Sequence, residues 1–160
     1  MWKKSRNVRI TYTPIANTSP VQIDDVVSYQ SLSSTSIKTV HGVDKPFEVP
    51  NTAPAAEVEG SQTASLAYNW RGKGWLVIAS SKWEILGYGD EDSSTGNSWV
   101  VTYFAKTLFT PAGVDVYSRK GSLTPDTMES IKAGLAGLGG DAAKLAAEMF
   151  EITMDGDRKD

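Results

Sequence analysis

Residues 70–119 read WRGKGWLVIASSKWEILGYGDEDSSTGNSWVVTYFAKTLFTPAGVDVYSR. Short runs rich in β-branched and aromatic residues alternate here with turn signals. Arg71-Gly72-Lys73-Gly74 is one turn, and Asp90 to Asn97 is a polar loop. Thr110-Pro111-Ala112-Gly113 sets Pro and Gly at the second and fourth positions, as a tight turn favours. The runs are too short for typical helices and match strands. Strand after strand joined by turns is an antiparallel meander, which must cover its edges or close on itself. Trp75 and Trp83 are expected in its core.

The segments before this stretch continue the pattern. From Arg6 to Pro14, Val8, Ile10 and Tyr12 alternate with Arg9, Thr11 and Thr13, the mark of a half-buried strand. Val21 to Gln30 repeats it, with Val21, Ile23, Val27 and Tyr29 on one face and Asp25 among them. Ser36 to Val43 is a third strand and carries His41. Asp44 to Ser65 then breaks the rhythm: rich in Pro, Ala, Glu and Thr, it reads as a mobile linker at one rim, with an ordered lid as the alternative.

Beyond the meander the period changes from two to 3.6. Thr124 suits an N-cap, Pro125 the first helical position and Asp126 the positive end of the dipole. Met128, Ile131, Leu135 and Leu138 form one apolar stripe. Gly139-Gly140 ends that helix. Asp141 is expected to cap a second one, striped by Leu145, Met149 and Ile152, and the charged tail 155–160 is expected to fray.

Composition excludes several function classes. The chain has 160 residues, a net charge of −3, one histidine and no cysteine. Scattered lysines and arginines give no footprint for nucleic acid. Without cysteine there is no disulfide framework or thiolate metal site, and a single imidazole argues against zinc catalysis. Walker and Rossmann glycine patterns are missing, as is a Gly-x-Ser-x-Gly elbow. Asp90-Glu91-Asp92 lacks the glycine and terminal glutamate of a calcium loop and reads as a solvated turn. No run has signal-peptide or membrane-spanning character, and the Asn17-Thr18-Ser19 sequon is then a chance match. The expectation is one cytoplasmic domain over residues 1–160, without cofactor, metal, membrane or nucleic-acid partner; the oligomeric state is open.

Candidate site residues are polar or aromatic groups on apolar faces. Asp25 must be paired, hydrogen-bonded or raised in pKa. His41 adjoins the long loop. These two are the catalytic candidates if the protein is an enzyme. Tyr12, Tyr29, His41, Trp70, Trp83, Tyr103 and Tyr117 are the ligand-binding candidates, since Trp and Tyr combine apolar walls with polar tips.

Val116-Tyr117-Ser118-Arg119, followed by Ser122-Leu123-Thr124-Pro125 and an amphipathic helix, resembles the last barrel strand and trailing helix of lipocalins. Trp75 to Trp83 is similar to the family's middle motif. The family's opening Gly-x-Trp strand is missing, so either Trp2 takes its place or the chain lacks that strand. By this resemblance Arg119 would close the barrel's base. The fold expected is an all-β, antiparallel up-and-down barrel of about eight strands within residues 6–119, with one or two C-terminal helices within 124–153. The function expected is carriage of a small hydrophobic or amphipathic molecule. The alternatives are a cofactor-independent isomerase or pericyclic cyclase on the same scaffold, and a protein-interaction module.

Overall fold

A computed structural model describes residues 1–48, 67–91, 96–156 and 158. Seven strands form one antiparallel sheet in sequence order: β1 (Ser5–Ile15), β2 (Gln22–Ser31), β3 (Ile37–Pro46), β4 (Ala67–Gly72), β5 (Ser80–Asp90), β6 (Ser98–Phe104) and β7 (Gly113–Ser118). Two helices follow, α1 (Pro125–Leu138) and α2 (Gly140–Ala147). The sheet curls into a half-barrel. Its curl brings Tyr12 of β1 over Trp83 of β5, their ring centroids 6.0 Å apart. Among the described residues no backbone pair joins β1 to β7.

Period-two alternation gives the sheet two chemically different faces. On the convex face Val101, Ile131, Leu135 and Ala146 form a core with Leu86, Trp99, Val114, Val116, Leu123 and Met149. The helices therefore cover the outside of β5–β7. Thr124 caps α1, its hydroxyl accepting from the Thr127 N–H. Ile131 and Leu135 are the buried part of the α1 stripe, whereas Leu138 at its end is exposed. Gly139, at φ 69°, ends α1 and serves as the cap of α2. Asp141 instead sits in the first turn of α2, where its charge faces the helix dipole.

Three expectations are corrected. The run from Trp75 does not enter a strand: Gly74–Leu76 form a 3₁₀ turn and β5 starts at Ser80. The Gly72 N–H bonds the Ala79 carbonyl, so residues 73–79 bulge out as a connection. Leu76 folds back onto Gly72, leaving Trp75 86% exposed. Second, the long segment does not start at Asp44, because β3 continues through Pro46; residues 49–66 lie outside those described. Third, the tail does not fray at Asp155. Asn7, in the left-handed region at φ 51°, sits in a β-bulge of β1. Its amide donates to Asp155 Oδ1 at 2.6 Å and to Gln30 Oε1 at 2.8 Å. Arg158 reaches Asn7 and Ser28.

At the other end of the meander, Arg119 stands exposed just past β7. Trp2 packs its ring on Tyr29 at 5.2 Å and hydrogen-bonds Asp115. A tryptophan from the N-terminal segment thus meets the last strand, with Asp115 as its polar partner.

Candidate functional site

The strand register lays polar groups into the concave face. Asp25 stands opposite Tyr12 of β1 and Gly42 of β3. Asp44 stands opposite Ile23 of β2 and Trp70 of β4. Asp25 and Asp44 are therefore diagonal neighbours on adjacent strands. Gly42 lies between them because a Cβ there would fall 2.1 Å from the Trp70 indole nitrogen. The Trp70 ring rests on that bare backbone and hydrogen-bonds Asp25. From β5 the Trp83 indole N–H donates to Asp44 Oδ1 at 2.7 Å. Tyr68 and Tyr12 flank Trp83, with Tyr68 stacked at 4.6 Å and Tyr12 at 6.0 Å.

These carboxyls are deeply buried, Asp25 at 7% and Asp44 at 0% exposure. Each has one satisfied oxygen and one without a protein partner: Asp25 Oδ1 and Asp44 Oδ2. Loss of hydration, then the nearby charges of Asp44 and, across the strand, Asp24, push Asp25 up to about 7 against the pull of the Trp70 bond. Burial pushes Asp44 up to about 6, again partly offset by its indole bond. No Lys, Arg or His among the described residues pairs with either one. Asp115 on β7 is also raised by burial, offset by the amino-terminal charge and by bonds from Tyr117 and Trp2. The Tyr117 hydroxyl accepts from Thr102 at 3.2 Å and donates to Asp115 at 3.4 Å. Tyr12 and Tyr117 are both held strongly in the neutral form, first by burial; for Tyr12 the neighbouring Tyr117 and then Asp25, Asp44 and Asp115 add to it, and for Tyr117 Asp115 does. Tyr12 shows 40% of its surface, and its hydroxyl shares the field of Asp25, Asp44 and Asp115.

Of the residues singled out from sequence, the fold brings Tyr12, Asp25, Tyr29, Trp70, Trp83 and Tyr117 to this face. His41 and Tyr103 alternate onto the other. His41 pairs there with Asp24 at 2.9 Å, and Lys73 bonds the same carboxylate, the two together holding Asp24 below the usual range. Asp25 and His41 consequently lie on opposite sides of the sheet and do not form a joint acid–base pair. Tyr103 shares the helix side with Val101, being paired to Val114. Asp44, Asp115, Tyr68 and Thr102 were not singled out. Asp44 had a signal, since it continues the alternation Val40, Gly42, Asp44. The polar loop contributes structure: Asp90 accepts from Ser98, and Glu91 accepts from Asn97 and from the Thr124 N–H. Asp92 lies outside the described residues.

A groove of about 540 Å³ opens on the opposite side, between α1 and β5–β6, walled by Leu86, Trp99, Ile131 and Leu138. It contains none of the buried polar atoms that lack partners. No described group of His, Cys, Asp or Glu is arranged to hold a metal ion, and no described helix is long and apolar enough to cross a membrane. No family model matches the chain, and no curated protein or solved structure matches it.

Proposed function

We propose that this protein binds a small hydrophobic or amphipathic molecule on the concave face of a lipocalin-like half-barrel. The observation that carries the reading is the pair of buried carboxyl oxygens without partners, set among stacked aromatic rings. Apolar walls with a few placed polar groups are how small-molecule sites are built. Buried polar atoms left unsatisfied cost stability, so folds that retain them tend to use them.

One observation favours a second reading, a cofactor-independent isomerase or cyclase. A carboxyl titrating at about 7 suits proton exchange near neutral pH. In that case Asp25 acts without His41, and substrate shape does the rest.

The test is titration with N-phenyl-1-naphthylamine, a neutral apolar fluorophore. Saturation at one site per chain with micromolar affinity is expected, together with quenching of tryptophan emission. Tyr12→Ala, which removes one ring of the stack on Trp83, should weaken binding several-fold while leaving the circular dichroism unchanged. Linear, unsaturable uptake of the probe overturns the proposal.

A further inference from the structure

The concave face has an unbalanced charge inventory. Asp25 and Asp44 are adjacent and buried, and no cationic side chain among the described residues meets either. By contrast, Asp24, on the other face of the same strand, is met by both Lys73 and His41. Buried carboxylates are ordinarily paired or bound to metal. A metal is disfavoured because no described cluster of His, Cys, Asp or Glu could hold one. Two indole N–H groups already satisfy one oxygen on each carboxyl, which fixes both carboxyl groups and leaves their second oxygens as acceptors.

We propose that the ligand carries a protonated amine on a flat apolar body, with Asp25 and Asp44 as its countercharge. This rests on the reading of the concave face as a ligand site and names the ligand class. An ammonium presents three N–H donors and a full charge, so it can bond the free oxygens and offset one of the two negative charges. A hydroxyl or amide group can bond there but leaves the charge unbalanced. A carboxylate or phosphate is repelled by Asp25, Asp44 and Asp115 together. The stacked rings Tyr12, Trp83 and Tyr68 add a second preference in the same direction, because aromatic faces attract cations. The chosen pair of carboxyls also explains Gly42: without a side chain there, the Trp70 ring lies down and orients Asp25.

The experiment compares 2-(1-naphthyl)ethylamine with 2-(1-naphthyl)ethanol by calorimetric titration of the full chain at pH 8. The two differ only in ammonium against hydroxyl. The amine should bind at least tenfold more tightly than the alcohol. Asp25→Asn and Asp44→Asn should each remove most of that preference, read as the ratio of amine to alcohol affinity within each variant. Equal binding of amine and alcohol by the unaltered protein overturns the proposal, whatever the variants do. So does a preference that both variants retain. If N-phenyl-1-naphthylamine binds and the amine does not, this inference fails while the binding function stands. If none of the three probes saturates the protein, both fall together.

Discussion

Replacing Asp25 by Asn should change how stability depends on pH. In the fold Asp25 holds its proton up to about 7, against an ordinary value of 3.8. The unfolded chain therefore ionises this group first. Its contribution is fully present below about 4 and is lost as pH rises towards 7, after which it stays lost. A little over three decades of proton affinity, at about 1.4 kcal/mol each, is on the order of 4 kcal/mol. Against a typical domain stability of about 5–15 kcal/mol that is a large fraction. Asp44 acts in the same direction, with its value at about 6. Asp24 and Glu91 are lowered, so they act in the opposite sense and only at more acid pH. Asn keeps the acceptor for Trp70 and cannot ionise. Urea unfolding of both proteins at pH 4.5 and pH 8 is the assay. The unaltered protein should lose about 3 kcal/mol more than the variant between the two conditions, since roughly 1 kcal/mol is already gone at pH 4.5. Taking this difference of differences cancels any constant cost of the amide. Parallel losses, or a rise in the stability of the unaltered protein across the window, would refute the account of a buried carboxyl without a countercharge.

Other substitutions probe other parts of the molecule. Trp83→Phe keeps the stack on Tyr68 but deletes the donor to Asp44, and should cost about 1.5–3 kcal/mol, the range for a hydrogen bond to a charged group, by urea unfolding at pH 8. Asn7→Ala loses the bonds to Gln30 and Asp155 and puts a residue that tolerates the left-handed region less well than Asn at φ 51°; a loss of about 2–4 kcal/mol is expected, and less than about 0.5 would mean that the tail contact is dispensable. Leu135→Ala, in the helix-side core, should cost about 2–5 kcal/mol. Trp75→Ala, by contrast, should stay within about 0.5 kcal/mol, because the side chain is solvated in the connection before β5.

Strand alternation made much of this architecture legible. The odd positions Ile23, Asp25, Val27 and Tyr29 were readable as one face because a strand's period is two. The Thr124-Pro125-Asp126 start of α1 was readable because caps depend on local chemistry. What failed depends on partners far along the chain. Trp75 follows a glycine turn within an apolar run and reads as a strand; only the closure from Gly72 to Ala79 shows that the run is a connection. Asp44 was grouped with the polar segment after it because its partners, Ile23, Trp70 and Trp83, lie on three other strands. His41 and Asp25 could be placed on their own strands, but not on opposite sides of one sheet, until the pairing of Asp25 with Gly42 was known. The tail contact at Asn7 had no local signature, since its bonds span most of the sequence.

That contact also bears on the order in which the protein assembles. Each strand pairs with its neighbour in sequence, so the sheet can zip up strand by strand, with one long connection between β3 and β4, and such neighbour pairing favours fast folding. The bond from Asp155 to Asn7 joins residues 148 apart, and that from Arg158 to Asn7 residues 151 apart. Closing so large a loop is entropically unfavourable until the sheet and helices have already drawn its ends together. These bonds are therefore expected to form after the main barrier, with unfolding rates rather than folding rates changed when Asn7 is replaced. Interactions that form late act on escape from the native state rather than on arrival at it, so the tail lengthens the lifetime of the folded half-barrel without setting the speed at which it folds.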